Sequence, residues 1–436
     1  MPYRLFRPVF RLIFCAPDAE RFPRAACLLR VRESRRHAQI VFSFKAVAIM
    51  TIKIAVVGLG ALGCATLLAL ARKGFHVEGF EQYRVGNNIG ASGGRSRQHR
   101  LIYGEGAAYT TLLQRASQLW HQLEQEQQTQ LFWGGGCLTI GTPDSPWFTA
   151  VENSAKQQNL PHERLSRAAL NQRFPRLNID EDEEGIFDPA GGILLTHELL
   201  LASAEQAKQL GAKVHEQTQI DGIVARDGAV ELTINGQVSS FDRVIVTTGA
   251  WSKRLLPDLP ISSRRLGMSF HVGKESGFDS VAFPPTMRVS AGRAMWNTQP
   301  LPDGKNFKFF VGDAELNELH DPELVATEAT GSLTPVLNER LDRHVADAVN
   351  GAHRTIVGGG TWPEAYTHDQ APLIGELKTH PHVWIGIGLS GHGFKLAPAL
   401  GELLSEAVAG EVNIARDWPL FSPERHFAEP QAVYSR

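Results

Sequence analysis

A glycine-rich turn near residue 58 constrains the fold of this chain more than any other feature of its sequence. An apolar segment at 52–57 leads into the turn, which reads Gly58-Leu-Gly60-Ala-Leu-Gly63. Apolar residues then recur at helical spacing, and a second apolar segment follows at His76–Phe80. A strand, a glycine turn, a helix and a second strand make a β–α–β unit, which predicts a parallel sheet of the α/β class.

The three glycines have different tasks in such a turn. Gly58 permits the sharp bend, Gly60 lets the backbone approach a pyrophosphate, and Gly63 allows the helix to pack closely on the strand. The helix directs unpaired N–H groups and its positive dipole end at the phosphates. Glu81 closes the second strand, where an acidic residue accepts hydrogen bonds from ribose hydroxyls. The pattern predicts a bound dinucleotide but does not separate FAD from NAD.

Composition places the rest of the chain in the ordinary globular class. The 436 residues are 43% hydrophobic and 21% charged, with a formal net charge of −2, so we expect neither nucleic acid nor a membrane as partner. No apolar run reaches the roughly 20 residues of a membrane-spanning helix. The four cysteines have no metal-ligand spacing, which predicts free thiols and no metal site.

Residues 1–49 differ in charge from everything that follows. They contain ten basic and three acidic residues, a net of +7, whereas the remainder carries −9. Met50 opens the segment that leads into the glycine turn, so we expect residues 1–49 to be disordered or absent from the mature fold. An organellar transit peptide, rich in Arg and poor in acidic residues, is the alternative. We accordingly expect a cytoplasmic protein, or an organellar one under that alternative.

After Met50 the apolar patterns alternate between two kinds of segment. Helical spacing and buried-strand runs occupy three stretches, and alternating strand patterns with Pro and Gly fill the two stretches between them. We predict an α/β fold with a discontinuous, Rossmann-like nucleotide domain and an α+β substrate domain on a mixed, largely antiparallel sheet. The nucleotide domain is predicted at 50–133, 193–262 and 357–436, and the substrate domain at 134–192 and 263–356.

Three segments beyond the turn carry a family resemblance. They lie at 90–106, 246–252 and 388–395, and the last contains the run Ser390-Gly-His-Gly-Phe-Lys395. They resemble the monomeric sarcosine oxidase and N-methyltryptophan oxidase family, within the D-amino-acid oxidase superfamily, and the resemblance runs from about Ile52 to Phe421. It implies FAD as the cofactor. It also implies oxidation of the C–N bond of a carboxylate-bearing amine to an imine, with O2 reduced to H2O2.

The resemblance and the glycine turn together imply a set of FAD contacts. These are Gly58, Gly60, Ala61, Leu62, Gly63, Glu81, Ser92, Gly93, Ser96, Arg97, Ile220, Thr248, Gly249, Trp251, Gly391, Gly393, Phe394 and Lys395. Ile220 is equally explained as a core strand residue, and Arg97 as an ion-pair partner of Glu105. The family attaches its flavin through a cysteine close to Trp362, but no cysteine occurs beyond Cys137, so non-covalent FAD is expected.

The resemblance also implies a substrate site. Arg100 and Lys395 match the arginine and lysine that bind the substrate carboxylate, a pairing that suits one carboxylate in a dry pocket. The alternatives are a surface ion pair for Arg100 and an exposed position at a helix start for Lys395. Asn297 stands where the family has a pocket tyrosine, and Gly312 where it has a histidine, so sarcosine itself is not the expected substrate. Met295 and Trp296, the residues before Asn297, are pocket walls or core residues.

Three residues are implied in catalysis. Lys308 matches the lysine that activates oxygen electrostatically near the flavin, and Lys305 takes its place if the register slips. Arg97 matches an arginine behind the flavin. His392 is the nearest candidate for acid–base chemistry, although a structural hydrogen bond beside the flavin is the stronger interpretation.

Two other enzyme classes remain open at this point. A dehydrogenase of the same superfamily would pass its electrons to a carrier protein or quinone. A flavin monooxygenase would need NAD(P)H, and the sequence has no second glycine-rich β–α–β unit to bind it. A non-catalytic flavoprotein is a further alternative. The expected partners are a small amine and O2, and the expected state is a monomer or a small homo-oligomer.

Overall fold

A computed structural model describes residues 28–30, 39–41, 52–290, 295–312, 318–319, 321–323, 335–353 and 356–427. Contacts divide the chain into two compact units, Met1–Met50 and Thr51–Arg436. Within the first unit the described residues are two short strands that pair antiparallel. The other residues of the predicted extension, including Cys15 and Cys27, lie outside the described part, so the expectation for 1–49 stays a prediction.

The elements are numbered in chain order. The strands are β1 (Leu28–Arg30), β2 (Gln39–Val41), β3 (Lys53–Val57), β4 (His76–Phe80), β5 (Ser96–His99), β6 (Phe132–Gly134), β7 (Cys137–Gly141), β8 (Glu163–Leu165), β9 (Glu184–Asp188), β10 (Gly192–Leu195), β11 (Lys213–His215), β12 (Ile220–Arg226), β13 (Ala229–Ile234), β14 (Gln237–Phe241), β15 (Arg243–Val246), β16 (Ile261–Val272), β17 (Thr286–Arg288), β18 (Met295–Pro300), β19 (Asn306–Gly312), β20 (Glu318–Leu319), β21 (Gly358–Thr367), β22 (Leu373–Leu377) and β23 (His380–Ile387). The α-helices are α1 (Ala61–Arg72), α2 (Ala107–Gln127), α3 (Pro146–Gln157), α4 (Arg167–Arg173), α5 (Thr196–Gln209), α6 (Ser252–Leu255), α7 (Pro335–Ala348), α8 (Ala397–Val408), α9 (Ile414–Asp417) and α10 (Glu424–Phe427), and 3-10 turns occupy Gly249–Trp251, Phe394–Leu396 and Pro419–Phe421.

A six-stranded sheet in the order β11-β4-β3-β15-β23-β22 forms the nucleotide half of the fold. Every neighbouring pair from β11 to β23 is parallel, and β22 joins antiparallel. The inner strands are short apolar runs because both of their faces are covered. Ile54, Val56, Val244 and Ile385 are fully buried, as expected for strands covered on both faces. The predicted β–α–β unit and parallel sheet are confirmed.

Close backbone contact fixes α1 against β3. Gly63 is so near the turn that a Cβ there would lie 1.9 Å from the carbonyl oxygen of Gly58. Ten of the twelve residues of α1 are buried, since α8 and α5 pack on its other faces. Gly74 follows the helix with φ +81°, the left-handed conformation that ends helices. The glycine turn therefore sets both the start and the position of α1.

The second large sheet has nine strands in the order β20-β16-β19-β18-β17-β7-β9-β8, with β21 paired to β16. All of these pairs are antiparallel except β7 with β17, so the predicted mixed, largely antiparallel sheet is confirmed. Its core includes an aromatic cluster in which Phe278 stacks on Phe307 and Phe283 packs against both rings at an angle. β21 comes from the stretch 357–436 that the sequence assigned to the nucleotide domain, so this stretch supplies strands to both large sheets.

None of the helices among the described residues has the length and apolar character needed to cross a membrane.

Replacing Gly63 with Ala is expected to destabilise the fold strongly. The added Cβ meets backbone atoms that cannot rotate away, so α1 must move off β3, and overpacking of this kind costs about 1–3 kcal/mol or more. Thermal unfolding followed by circular dichroism should show a Tm several degrees lower. Gly222→Ala is the matched control, because its Cβ would meet only Thr233 Oγ1, at an ordinary 3.5 Å. Equal Tm values for the two variants would contradict the claim that α1 packs on the backbone of Gly58 at Gly63.

Candidate active site

One large cavity connects the segments that the sequence singled out. It has a volume of about 880 Å³ and passes the ends of β3, β4, β15 and β23, which are the carboxyl ends of neighbouring parallel strands. Strands β17, β18, β19 and β21 of the nine-stranded sheet line its other side. A crevice at the carboxyl edge of a parallel sheet is the usual ligand position in folds of this class.

The glycine turn forms one wall of this cavity. Gly58 has φ +88°, and a Cβ there would lie 2.9 Å from the Cα of Thr248, so only glycine fits. Residues 60–62 line the cavity at the start of α1. The N–H of Ala61 donates to Ser92 Oγ at 2.9 Å, which ties the second predicted segment to the helix N-terminus. This end of the cavity offers backbone N–H groups and a helix dipole to an anion.

Glu81 lies beside the turn with its carboxylate held by the backbone. Its two oxygens accept hydrogen bonds from the N–H groups of Leu59, at 2.8 Å, and Tyr83, at 3.0 Å. Burial raises the pKa of Glu81, and the two N–H donors oppose that shift. The side chain lines the cavity, so it lies where the sequence placed a ribose acceptor.

The far end of the cavity is closed by a polar cluster on Glu323. The Glu323 carboxylate accepts hydrogen bonds from Trp251 Nε1 at 2.9 Å and from the Tyr83 hydroxyl at 3.2 Å. Arg254 adds an ion pair at 2.9 Å. Ile220 is buried and lines the same end. Of these residues the sequence singled out Trp251 and Ile220 but not the other three.

Two cations, the partly buried Arg97 and the buried Lys308, lie side by side in the cavity. Arg97 donates to the carbonyl oxygens of Ser96, at 2.7 Å, and Ala91, at 2.6 Å, and burial lowers its pKa to about 10. Lys308 is almost fully buried and donates to the carbonyl oxygens of Gly94 and Ser96. Burial and then the charge of Arg97 lower the pKa of Lys308. Lys308 is therefore no exposed strand residue, whereas Lys305 is exposed.

Arg100 and Lys395 come together at the other side of the cavity. The Arg100 guanidinium lies 4.9 Å and the Lys395 ammonium 4.6 Å from the centre of the Tyr103 ring. Both side chains are more than nine-tenths buried, which removes the surface alternatives considered for them. Burial, and then the charge of Arg100, lower the pKa of Lys395 to about 7. The two predicted carboxylate-binding cations are thus brought together on one aromatic ring.

His392 is held as a structural residue. Its Nε2 lies 2.9 Å from the carbonyl oxygen of Gln370, and its ring lies against Tyr109 at a centroid distance of 5.5 Å. Burial, and then the charge of Lys395, lower the pKa of His392 to about 4. A neutral imidazole that is already bound to the backbone has little capacity for acid–base work at neutral pH.

The strand that carries Asn297 faces the cavity on one side and the core on the other. Asn297 and Met295 line the cavity, with Met295 largely exposed, whereas Trp296 points into the hydrophobic core between them. Of the two predicted departures from the family pocket, Asn297 lies on the cavity wall, and the surroundings of Gly312 lie outside the described part of the chain.

Three of the predicted FAD contacts do not line the cavity: Gly63, Gly93 and Ser96. Gly63 packs on Gly58, as described above. A Cβ at Gly93 would lie 2.5 Å from Nε1 of Trp362, and the Ser96 hydroxyl donates to Gln299 at 3.1 Å. The two glycines allow close packing behind the cavity wall, and the Ser96 side chain ties β5 to β18.

Family membership follows from a match that covers most of the chain. The sequence profile described as FAD dependent oxidoreductase matches residues 53–407. The chain belongs to this family. The cofactor is therefore FAD, and the protein is a FAD-dependent oxidoreductase, which confirms the prediction from the later sequence segments.

Curated relatives of this FAD dependent oxidoreductase agree with the predicted resemblance. It is 28% identical to monomeric sarcosine oxidase of Bacillus sp. (strain B-0618), over 85% of this chain and 95% of the relative. It is 27% identical to N-methyl-L-tryptophan oxidase of Salmonella dublin, over 82% of this chain and 95% of the relative.

Solved structures show the same fold at lower identity. NikD, an unusual amino acid oxidase essential for nikkomycin biosynthesis, superposes with a TM-score of 0.73 at 21% identity, covering 86% of this chain and 98% of the other. Glycine oxidase from Geobacillus kaustophilus gives 0.71 at 18% identity, with 86% and 100% covered. These likenesses establish the fold of the oxidoreductase.

The cavity of this oxidoreductase fits FAD along its length. Glycine at position 58 leaves room at the turn, where a side chain would strike Thr248. The positive end of α1, the ordered Glu81 carboxylate and the ring of Trp251 follow one another along the wall, in the order of a pyrophosphate, a ribose and an adenine. The described cysteines, Cys64 and Cys137, are buried and line no part of the cavity.

Besides Glu323, two carboxylates at this site were not predicted from the sequence. Glu364 of β21 lines the cavity, and Asp188 accepts hydrogen bonds from the N–H groups of Leu101, Ile102 and Ala190, which fixes the chain after Arg100. The run Ile186-Phe-Asp-Pro-Ala-Gly-Gly192 also resembles the sarcosine oxidase family, so Asp188 could have been found there. Glu364 had no such signal, because it is one acidic residue in an apolar strand.

We expect acid precipitation to release all of the flavin from the protein. The family's attachment cysteine has no counterpart at Trp362, so the dinucleotide is expected to be held without a covalent bond. The measurement is the 450 nm absorbance of the supernatant and of the redissolved pellet after trichloroacetic acid treatment. Flavin that stays in the pellet would contradict non-covalent binding, and free FAD added to the apoprotein of an unrelated enzyme is the control for trapping.

Proposed function

We propose that this FAD-dependent oxidoreductase oxidises the C–N bond of an amine that carries a carboxylate, with O2 as electron acceptor. The observation that supports this most strongly is the pair of buried cations, Arg100 and Lys395, on the Tyr103 ring at one side of the cavity. The named activities of the curated relatives, sarcosine and N-methyl-L-tryptophan oxidation, agree with such a substrate. Sarcosine is not the expected substrate, since the cavity wall differs at Asn297.

The substrate carboxylate binds between the two cations. A guanidinium forms two parallel hydrogen bonds to a carboxylate, and an ammonium adds a point charge. Among the described residues neither Arg100 nor Lys395 has an ion pair with an acidic side chain, although the Glu105 carboxylate lines the same cavity and acts on Lys395 from further away. A substrate carboxylate would supply the direct counter-charge. The Tyr103 ring lies within 5 Å of both cations and stabilises each of them through its ring face.

FAD is held by the residues that follow the carboxyl edge of the sheet. The glycine turn and Ser92 would hold the pyrophosphate, Glu81 the ribose, and Trp251 the adenine end. Residues 391–395 would lie against the flavin. Bound FAD would supply the two-electron redox chemistry that joins oxidation of the substrate C–N bond to reduction of O2 to H2O2.

Lys308 supports the oxygen half of the reaction. Reduction of O2 begins with negative charge on oxygen, and a cation in a dry site stabilises that charge far more than one in water. Lys308 is fixed by two backbone carbonyl oxygens beside Arg97, so the positive charge is positioned before the reaction begins. His392 serves the site as a fixed neutral residue, whose Nε2–H donates to the carbonyl oxygen of Gln370, and it transfers no proton in the reaction.

Replacing Lys395 with Met is expected to raise the Kd of carboxylate-bearing substrates by about 10- to 100-fold, while the FAD content of the protein stays unchanged. The measurement is anaerobic flavin bleaching against a panel of primary, N-methyl and cyclic amino acids. Propionate, a carboxylate without an amine, should bind the wild-type protein more weakly as pH rises through about 7, because Lys395 loses its proton there. The variant should show no such pH dependence.

Lys305→Met is the control for that variant, since Lys305 is exposed and is expected to leave bleaching unaffected. If Lys395→Met weakens FAD binding as much as substrate binding, Lys395 contributes to cofactor binding and not specifically to substrate binding. A wild-type protein that no amine bleaches would overturn the proposed function itself.

Replacing Lys308 with Met is expected to slow reoxidation of the reduced flavin by O2 at least about tenfold, with anaerobic bleaching affected much less. Stopped-flow mixing of the reduced protein with oxygenated buffer measures the rate, and peroxide is assayed in the product. Lys305→Met is again the control, and it shows whether Lys308 or Lys305 is the lysine that activates oxygen. Unchanged reoxidation in Lys308→Met, or bleaching without peroxide, would favour a dehydrogenase with another acceptor.

A further inference from the structure

A buried carboxylate faces the same cavity as the four cations. Glu364 lies on β21 between Pro363 and Ala365, and about nine-tenths of it is buried. Its Oε1 accepts a hydrogen bond of 2.6 Å from the N–H of Gly391. The residue lines the cavity together with Gly391 and Lys395, so the carboxylate lies beside the loop that leads into α8.

The neighbouring cations do not neutralise Glu364 by direct contact. Arg97 gives its N–H groups to two carbonyl oxygens, and the Lys395 ammonium donates to the carbonyl oxygen of His392 at 3.1 Å. Within the described part of the chain, no N···O distance of 4.0 Å or less joins Glu364 to a basic group. The charges of Arg97 and Lys395 act on it from further away and oppose the rise in pKa that burial causes.

A buried carboxylate with one hydrogen bond is costly unless a partner satisfies the remaining lone pairs. Anchoring the loop at Gly391 explains the bond to Oε1, but a neutral glutamine would serve that purpose equally. The described residues offer no donor to Oε2, which leaves one oxygen of Glu364 for a donor that enters the cavity.

We propose that Glu364 recognises the amino group of the substrate, so that the cavity takes a zwitterion. The inference rests on the proposed function: the substrate carboxylate binds at Arg100 and Lys395, and its amine donates to Glu364. The substrate class is then an amino acid with a basic nitrogen that retains at least one N–H. An N-acyl amino acid is excluded, because its nitrogen carries no positive charge, and a plain carboxylate gains nothing from Glu364.

Glu364→Gln tests this with two ligands, an amino acid and a carboxylate that has no amine. Glutamine keeps the length of the side chain and an acceptor for the Gly391 N–H but removes the charge. The Kd of the amino acid that bleaches the wild-type flavin fastest should rise about 10- to 100-fold. The Kd of propionate, measured by perturbation of the flavin spectrum, should stay the same or fall, because an anion no longer meets a second anion.

Glu376→Gln is the matched control. Glu376 is exposed and accepts a backbone hydrogen bond of 2.8 Å from His382 N, the same kind of bond outside the cavity. Both Kd values should remain unchanged in that variant. If Glu364→Gln raises the Kd of both ligands to the same extent, Glu364 only anchors the loop at Gly391. If neither Kd changes, Glu364 has no part in ligand recognition.

Glu364→Asp decides the question if Glu364→Gln is isolated without FAD. Aspartate keeps the negative charge, so the preference for the amino acid over propionate should stay within about threefold of the wild type. Loss of that preference in Glu364→Asp would overturn the proposal. A wild-type protein that binds propionate but is bleached by no amine would instead refute the proposed function, so the two failures are distinguishable.

Discussion

The close contact between α1 and β3 is the interaction on which the rest of the site depends. Because Gly63 lies directly on the backbone of Gly58, the helix starts at the carboxyl edge of the sheet with its N–H groups facing the cavity. The ends of β15 and β23 then have fixed positions beside it, since both strands pair in register within the same sheet. The cavity is therefore defined by backbone geometry before any reactive side chain is considered.

Charge is the second organising feature. Arg100, Lys308 and Lys395 are more than nine-tenths buried around one cavity, and Arg97 is partly buried there. Burial lowers the pKa of Arg97, Lys308 and Lys395. Desolvated like charges repel, so such a cluster is stable only with fixed dipoles and counter-charges around it. Backbone carbonyl oxygens hold Arg97 and Lys308, and an aromatic ring holds the other two. This cluster of positive charge would suit anionic ligands, namely the dinucleotide and the carboxylate of the proposed substrate.

The sequence predicted this molecule well where the physics is local. The turn at Gly58, the strand at His76–Phe80 and the helix after Lys395 follow from patterns within a few residues, and the structure has each of them. The pairing of Arg100 with Lys395, nearly three hundred residues apart, came from the family resemblance and not from a local pattern. Glu364 escaped prediction because a single carboxylate in an apolar strand shows its burial only once β21 is paired with β16.

The discontinuity of the two large sheets has a consequence for how the chain folds. Thr247 hydrogen-bonds to Val57 across 190 residues of sequence, and β16 and β21 pair over ten positions after a long excursion of the chain. Closing such loops is entropically unfavourable, so contacts of this kind form late and make folding slow. The β3–α1–β4 unit, by contrast, is local in sequence. We therefore expect the phosphate-binding turn to form early and the substrate end of the cavity to be completed near the end of folding.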